Sequence, residues 1–132
     1  MEVLNVLAAA LGAYAFAAAW YIAMRKPWMA AAGIVVGSDG RPVNSRSAPM
    51  PFVIALVAMV AVAGMMRHTF QMGGIDSAGK GIVAGLGIGA FFITPWMAMN
   101  YAFSMRKGML TVLDGVNAIV GCAIMGLILA LF

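Results

Sequence analysis

Four long apolar runs, separated by short polar breaks, set the pattern of this chain. Val3 to Met24 holds no charged residue, and neither does Pro51 to Met66, which extends past Thr69 to Met72. Gly81 to Met105 and Leu110 to Phe132 complete the set. A hydrocarbon layer about 30 Å thick is crossed by about 20 residues of helix. None of the runs alternates with period two, and each is too long for a barrel strand. In lipid, the backbone groups of a lone segment are satisfied only within a helix. The pattern therefore predicts an all-α membrane protein. Four transmembrane helices, at about 3–24, 51–72, 81–105 and 110–132, form an antiparallel bundle and a single integral membrane domain over 1–132.

The breaks have their own grammar. After Arg25-Lys26, the stretch Pro27-Trp28-Met29-Ala30-Ala31-Ala32 suits a short helix in the headgroup region, with Pro in its first turn and Trp beside cations. Gly37-Ser38-Asp39-Gly40-Arg41-Pro42 is dense in turn formers and predicts an exposed turn. Pro49 and Pro51 mark the start of the second span, where a missing N–H does no harm. Gly73-Gly74 and Asp76-Ser77 make the turn before the third span, and Pro95 is expected to kink that span. The first span carries Glu2 where a secretory signal carries Lys or Arg, and its apolar run exceeds the h-region length of about 7–15 residues. It reads as an uncleaved span.

Composition agrees and narrows the function. Of 132 residues, 64% are hydrophobic and 9% charged, against about 25% charged in soluble domains. A soluble fold of this size cannot hide so much apolar surface. The net charge of +4 rests on eight scattered Lys and Arg, which excludes a nucleic-acid partner. Arg25, Lys26, Arg41 and Arg46 lie in the first loop and Arg106 and Lys107 in the third, against Arg67 and Lys80 on the opposite side. Six against two predicts cytoplasmic first and third loops, with both termini outside.

Few residues offer chemistry. Gly81, Gly85 and Gly89 fall four apart on one helical face, and Ala118, Cys122 and Gly126 repeat that spacing in the fourth span. Such faces let two backbones approach closely, either between copies of the chain or within one bundle, and packing within the bundle is favoured. A tight turn near Lys107-Gly108 places Asn100 and Asp114 at similar depth, with Asn117 one turn beyond Asp114. Arg106 is expected within reach of Asp114, and Trp20 and Tyr21 at the same depth on the first span. This set is either a solute or proton site or a structural network in which Asp114 pairs with Arg106 near the start of its helix. The structural network is the expectation. Met65, His68 and Met72 share one face of the second span and could in principle hold Cu(I), although a Met stripe is more often packing. No zinc motif, P-loop, dinucleotide fingerprint or nucleophile elbow is present, so no cofactor, metal or catalytic residue is assigned and no enzyme activity is expected. Cys122 stands alone and reads as a small packing residue.

Ala19-Trp20-Tyr21, Lys26 and Trp28-Met29 resemble the first-span signature of a bacterial four-span family of unknown function, number seventeen sixty-one. Gly81 to Gly89, Asn100-Tyr101-Ala102-Phe103, Arg106, Leu110 and Ala123-Ile124-Met125-Gly126 extend the resemblance into the carboxy-terminal half. It implies a four-helix inner-membrane protein and no particular activity. The function expected is that of a packing or accessory subunit, or a homo-oligomer, whose partners are the bilayer and either itself or another membrane protein. The alternative is a small-solute, ion or proton transporter or channel using Asn100, Asp114 and Asn117.

Overall fold

The computed structural model describes residues 2–43 and 49–132. Arg46, counted above among the first-loop cations, lies outside the described residues. The elements are α1 (Glu2–Ala23), α2 (Arg25–Ala32), α3 (Met50–Gly73), α4 (Ala78–Ile88), a π turn (Gly89–Ile93), α5 (Thr94–Phe103) and α6 (Gly108–Ala130). Helices α1, α3 and α6, and the continuous run α4 through α5, are long and apolar enough to cross a membrane. Their ends fall within one helical turn of the boundaries read from the sequence. The chain is an all-helical protein of four packed spans, and the short helix expected in the first loop is α2.

The bundle is organised around α6, which packs against α1, α2, α3, α4 and α5. Helix α1 also packs against α3, whereas α3 and the third span share no substantial surface. As a result, 44% of the α6 span is buried, against 11% for α3 and for the third span. Small residues make this hub possible. Ala9, Ala13 and Ala17, spaced four apart on α1, are buried, and Ala9 and Ala13 join Ala63, Met66, Phe70, Cys122, Met125 and Leu129 in one core.

The glycine face of α4 lies against α6 of the same chain. A Cβ placed on Gly81 would collide with the Gly126 carbonyl, and one on Gly85 with the Cys122 carbonyl. On Gly89 it would lie 2.8 Å from the Ala118 carbonyl oxygen. Both small-residue faces are therefore consumed inside the bundle, and neither is left free to join two copies. The closeness explains the residue type: only glycine lets the α4 backbone lie directly on the α6 carbonyls.

Pro95 sits just after the π turn. The Thr94 backbone N–H bonds to the Gly89 carbonyl five residues back, and the Thr94 hydroxyl donates to the same oxygen at 2.7 Å. The widened turn thus absorbs the missing proline donor within the span, with a threonine side chain completing the local bonding.

In the first loop, α2 ends at Gly33, whose φ of 71° is the left-handed conformation that favours glycine. The predicted turn follows. Val36 and Pro42 form an isolated antiparallel bridge, and Gly40, at φ 74°, turns the chain between them.

Candidate functional site

The break between α1 and α2 and the turn between α5 and α6 lie at the same end of the bundle, and both deliver aromatic side chains to Asp114. Met24 interrupts the helix, with its N–H bonded to the Trp20 carbonyl and its own carbonyl accepting from Trp28. That bend lays α2 beside α6 and aims Trp28 inward. Tyr21 and Trp28 meet edge to face, with ring centroids 5.7 Å apart.

Asp114 is buried, with 8% of its surface exposed. Its Oδ1 accepts a hydrogen bond from the Tyr21 hydroxyl at 2.6 Å and another from the Trp28 indole N–H at 2.9 Å. Its Oδ2 accepts from the Tyr101 hydroxyl at 2.6 Å. Three separate elements, α1, α2 and α5, thus donate to one carboxyl group on α6. Next to it, the Trp20 indole N–H donates to the Leu113 carbonyl at 3.0 Å. Below the polar knot, Ala31, Leu110 and Leu113 form a second apolar cluster, packed by Trp20, Trp28 and Tyr101.

Three features differ from the sequence expectation. Arg106 does not pair with Asp114. Its guanidinium donates to the Ala32 carbonyl at 2.8 Å and so closes the carboxy-terminal end of α2, where helix carbonyls lack partners. Nor does Asp114 cap α6, because the N-cap position is Lys107 and Asp114 lies on the second turn, beyond the range of the helix dipole. Asn100 stays exposed, and its backbone carbonyl accepts from the Ser104 hydroxyl. Tyr101, one residue later, occupies the position that depth alone had suggested for Asn100. Asn117 does belong to the site. It lies close to the Tyr21 hydroxyl, and its Oδ1 is buried without a hydrogen-bond partner among the described residues.

The opposite end of the bundle carries a second polar group. Arg67 donates to the Leu129 carbonyl at 3.0 Å, satisfying the carboxy-terminal turn of α6, and lies 3.8 Å from the Glu2 carboxylate. Gln71 donates to Glu2 as well. Just before the third span, Asp76 pairs with Lys80 of its first turn at 2.7 Å, and that ammonium holds the Asp76 carboxyl below the usual carboxylate range. Met65 and Met72 are 61% and 77% exposed, so the two thioethers point away from the bundle. Among the described residues, no three His, Cys, Asp or Glu side chains gather around a common point. Cys122 is buried in the main core as a free thiol.

The family described as Protein of unknown function (DUF1761) matches residues 4–130, nearly the whole chain, and the chain belongs to it. No curated protein and no solved structure matches the chain.

Proposed function

We propose that this member of the DUF1761 family acts through its packed surface, as a non-enzymatic accessory subunit of a membrane assembly or as a homo-oligomer. Its place is the inner membrane of a bacterial cell, with both termini outside and the Asp114 knot at the cytoplasmic end. The observation that carries the reading is the occupancy of Asp114. The buried carboxyl group is held by donors from α1, α2 and α5, which ties four elements together at the end where the two loops emerge. Polar groups at membrane depth are costly unless satisfied, and this one has three partners of its own chain. Orientation is supported by Arg25, Lys26, Arg41, Arg106 and Lys107, which fall in the two loops at that end. Because the glycine faces are used internally, a partner helix would meet the outer faces of α3, the π turn or α5, where Phe52, Val57, Phe92, Trp96 and Phe103 are exposed.

A second reading, a proton or cation carrier, is favoured by one observation. The acceptor oxygen of Asn117 is buried and unpartnered beside a carboxyl group that has no Lys or Arg bonded to it among the described residues. The two readings separate in one pair of measurements. Mild extraction from the native membrane, followed by mass analysis of the intact complex, should find the chain associated with itself or with another membrane protein. Liposomes containing the protein should show no ion- or pH-driven flux. A monomer with Asp114-dependent flux would overturn the accessory reading in favour of transport.

A further inference from the structure

Between α1 and α3, at the end where Glu2 and Arg67 lie, the surface opens into a groove of about 280 Å³. Its polar groups and its apolar walls are segregated by depth. Glu2, Arg67, His68 and Gln71 sit toward the helix ends. Val6, Leu7, Val60 and Gly64 line it further into the span. From Gln71 to Val60 the α3 wall runs about 16 Å along the helix axis, so the groove leads from the interface into the hydrocarbon. Gly64 keeps it open: a Cβ there would meet only Val6 Cγ1, at 3.9 Å.

The polar end is itself divided. Arg67 spends Nη1 on the Leu129 carbonyl, which leaves Nε and Nη2, the side-on fork of the guanidinium. Nε is buried and has no partner among the described residues, and Nη2 faces Glu2 only at 3.8 Å. Nη2 is thus the donor at the mouth that can take a phosphate oxygen, and a small shift of the side chain brings the unpartnered Nε to a second one. Glu2, 63% exposed, offers a carboxylate to a cationic donor at the same mouth. A positive fork and a negative acceptor placed side by side complement a zwitterion better than an anion.

We propose that this groove binds one phospholipid with a zwitterionic primary-amine headgroup, a phosphoethanolamine ester. Arg67 takes the phosphate, Glu2 and Gln71 take the ammonium, and one acyl chain lies along Val6, Leu7, Val60 and Gly64. A primary ammonium donates hydrogen bonds to Glu2, which a quaternary choline cannot do, so the site discriminates between two headgroups of equal net charge. The α1–α3 contact is then completed by lipid at the end where protein packing leaves a gap.

The test uses the full chain, purified and stripped of lipid, then titrated with phosphatidylethanolamine, phosphatidylcholine and phosphatidylglycerol of matched acyl chains. Binding is read by intact-complex mass spectrometry and by thermal stability in detergent. One phosphatidylethanolamine per chain is expected, at least tenfold tighter than the other two lipids, and glycerophosphoethanolamine, which lacks acyl chains, should not bind. Glu2→Gln, at an exposed position, should fold normally and lose the preference over phosphatidylcholine. Arg67→Gln should abolish binding; because Arg67 also supports α6, Gly64→Leu provides a variant that fills the trough and leaves Arg67 in place. It should remain helical and lose binding at least tenfold. Equal binding of all three lipids, preference for phosphatidylglycerol, no binding at all, or an undiminished preference in Glu2→Gln would overturn the proposal.

Discussion

The Tyr101 hydroxyl and the Asp114 carboxylate, on either side of the α5–α6 turn, meet at 2.6 Å. The contact spans a turn in which Met105 adopts a φ of 55°. A left-handed non-glycine residue is uncommon and persists where its surroundings hold it. The Tyr101–Asp114 bond and the Arg106 bond to Ala32 flank that turn, so the knot fixes both the turn geometry and the position of α2.

Removing donors from Asp114 should therefore destabilise the fold in proportion to what is left unpaired. Tyr101→Phe deletes the only donor bonded to Oδ2 among the described residues, and the expected cost is about 1–3 kcal/mol. Asp114→Asn keeps one acceptor oxygen and should weaken the protein less than Asp114→Leu, which strands the Tyr21, Trp28 and Tyr101 donors together. Reversible unfolding in mixed detergent micelles measures all three variants. Equal stability of Asp114→Leu and the unmutated protein would remove the knot from any structural role.

Coupling should follow the observed bonds and not the charges. A double-mutant cycle of Tyr101→Phe with Asp114→Asn should show an interaction energy of about 0.5–3 kcal/mol. The same cycle with Arg106→Gln should be near additive, because Arg106 bonds to Ala32. Arg106→Gln should instead loosen α2, detectable as faster hydrogen exchange at Ile34, whose N–H bonds to Met29 at the end of that helix.

The spans were legible because hydrophobic runs and bilayer thickness set them independently of tertiary packing. The depth of the polar site was legible too, since a tight turn near Lys107 fixes which residues of antiparallel neighbours lie level. The face was not. Asn100 and Tyr101 differ by one residue, which on a helix is 100° of rotation, and only packing against α6 decides which of them points inward. Charge attraction is visible in a sequence and points Arg106 to the nearest carboxylate, whereas the unpaired Ala32 carbonyl exists only once α2 has folded. Trp28 read as an interfacial anchor for a similar reason. Its indole N–H finds Asp114 only through the bend at Met24. Along α3, Met65 and Met72 share a helical spacing but lie outward, while Arg67 beside them turns toward the end of α6.

Reporter fusions would resolve the orientation. Fusions at Gly40 and Lys107 should report the cytoplasm, and a carboxy-terminal fusion the outside, following the five cations of the described loops at the knot end. The pair Asp76–Lys80 would then be external, and reversing the loop charges with Arg25→Glu and Lys26→Glu should produce mixed insertion. A cytoplasmic carboxy terminus in the unmutated chain would invert the whole assignment.

The glycines of the third span should divide sharply by face, and the division tests the close α4–α6 approach without touching any polar group. Gly85→Ala drives a methyl group into the Cys122 carbonyl, so the helices must move apart along their length. Over-packing of this kind costs about 1–3 kcal/mol. Gly87 is the internal control. Nothing lies within 4 Å of a Cβ placed there, so Gly87→Ala should be neutral or slightly stabilising, Ala exceeding Gly in helix by up to about 1 kcal/mol. Gly81 and Gly126 supply the reciprocal case, because each would collide with the backbone of the other. Once Gly81→Ala has pushed the helices apart, Gly126→Ala has less left to disrupt, so the double variant should be less destabilised than the sum of the singles. Strict additivity, or a Gly85→Ala protein as stable as Gly87→Ala, would mean that α4 and α6 do not touch through these residues. The glycine face would then be free to meet a second copy of the chain.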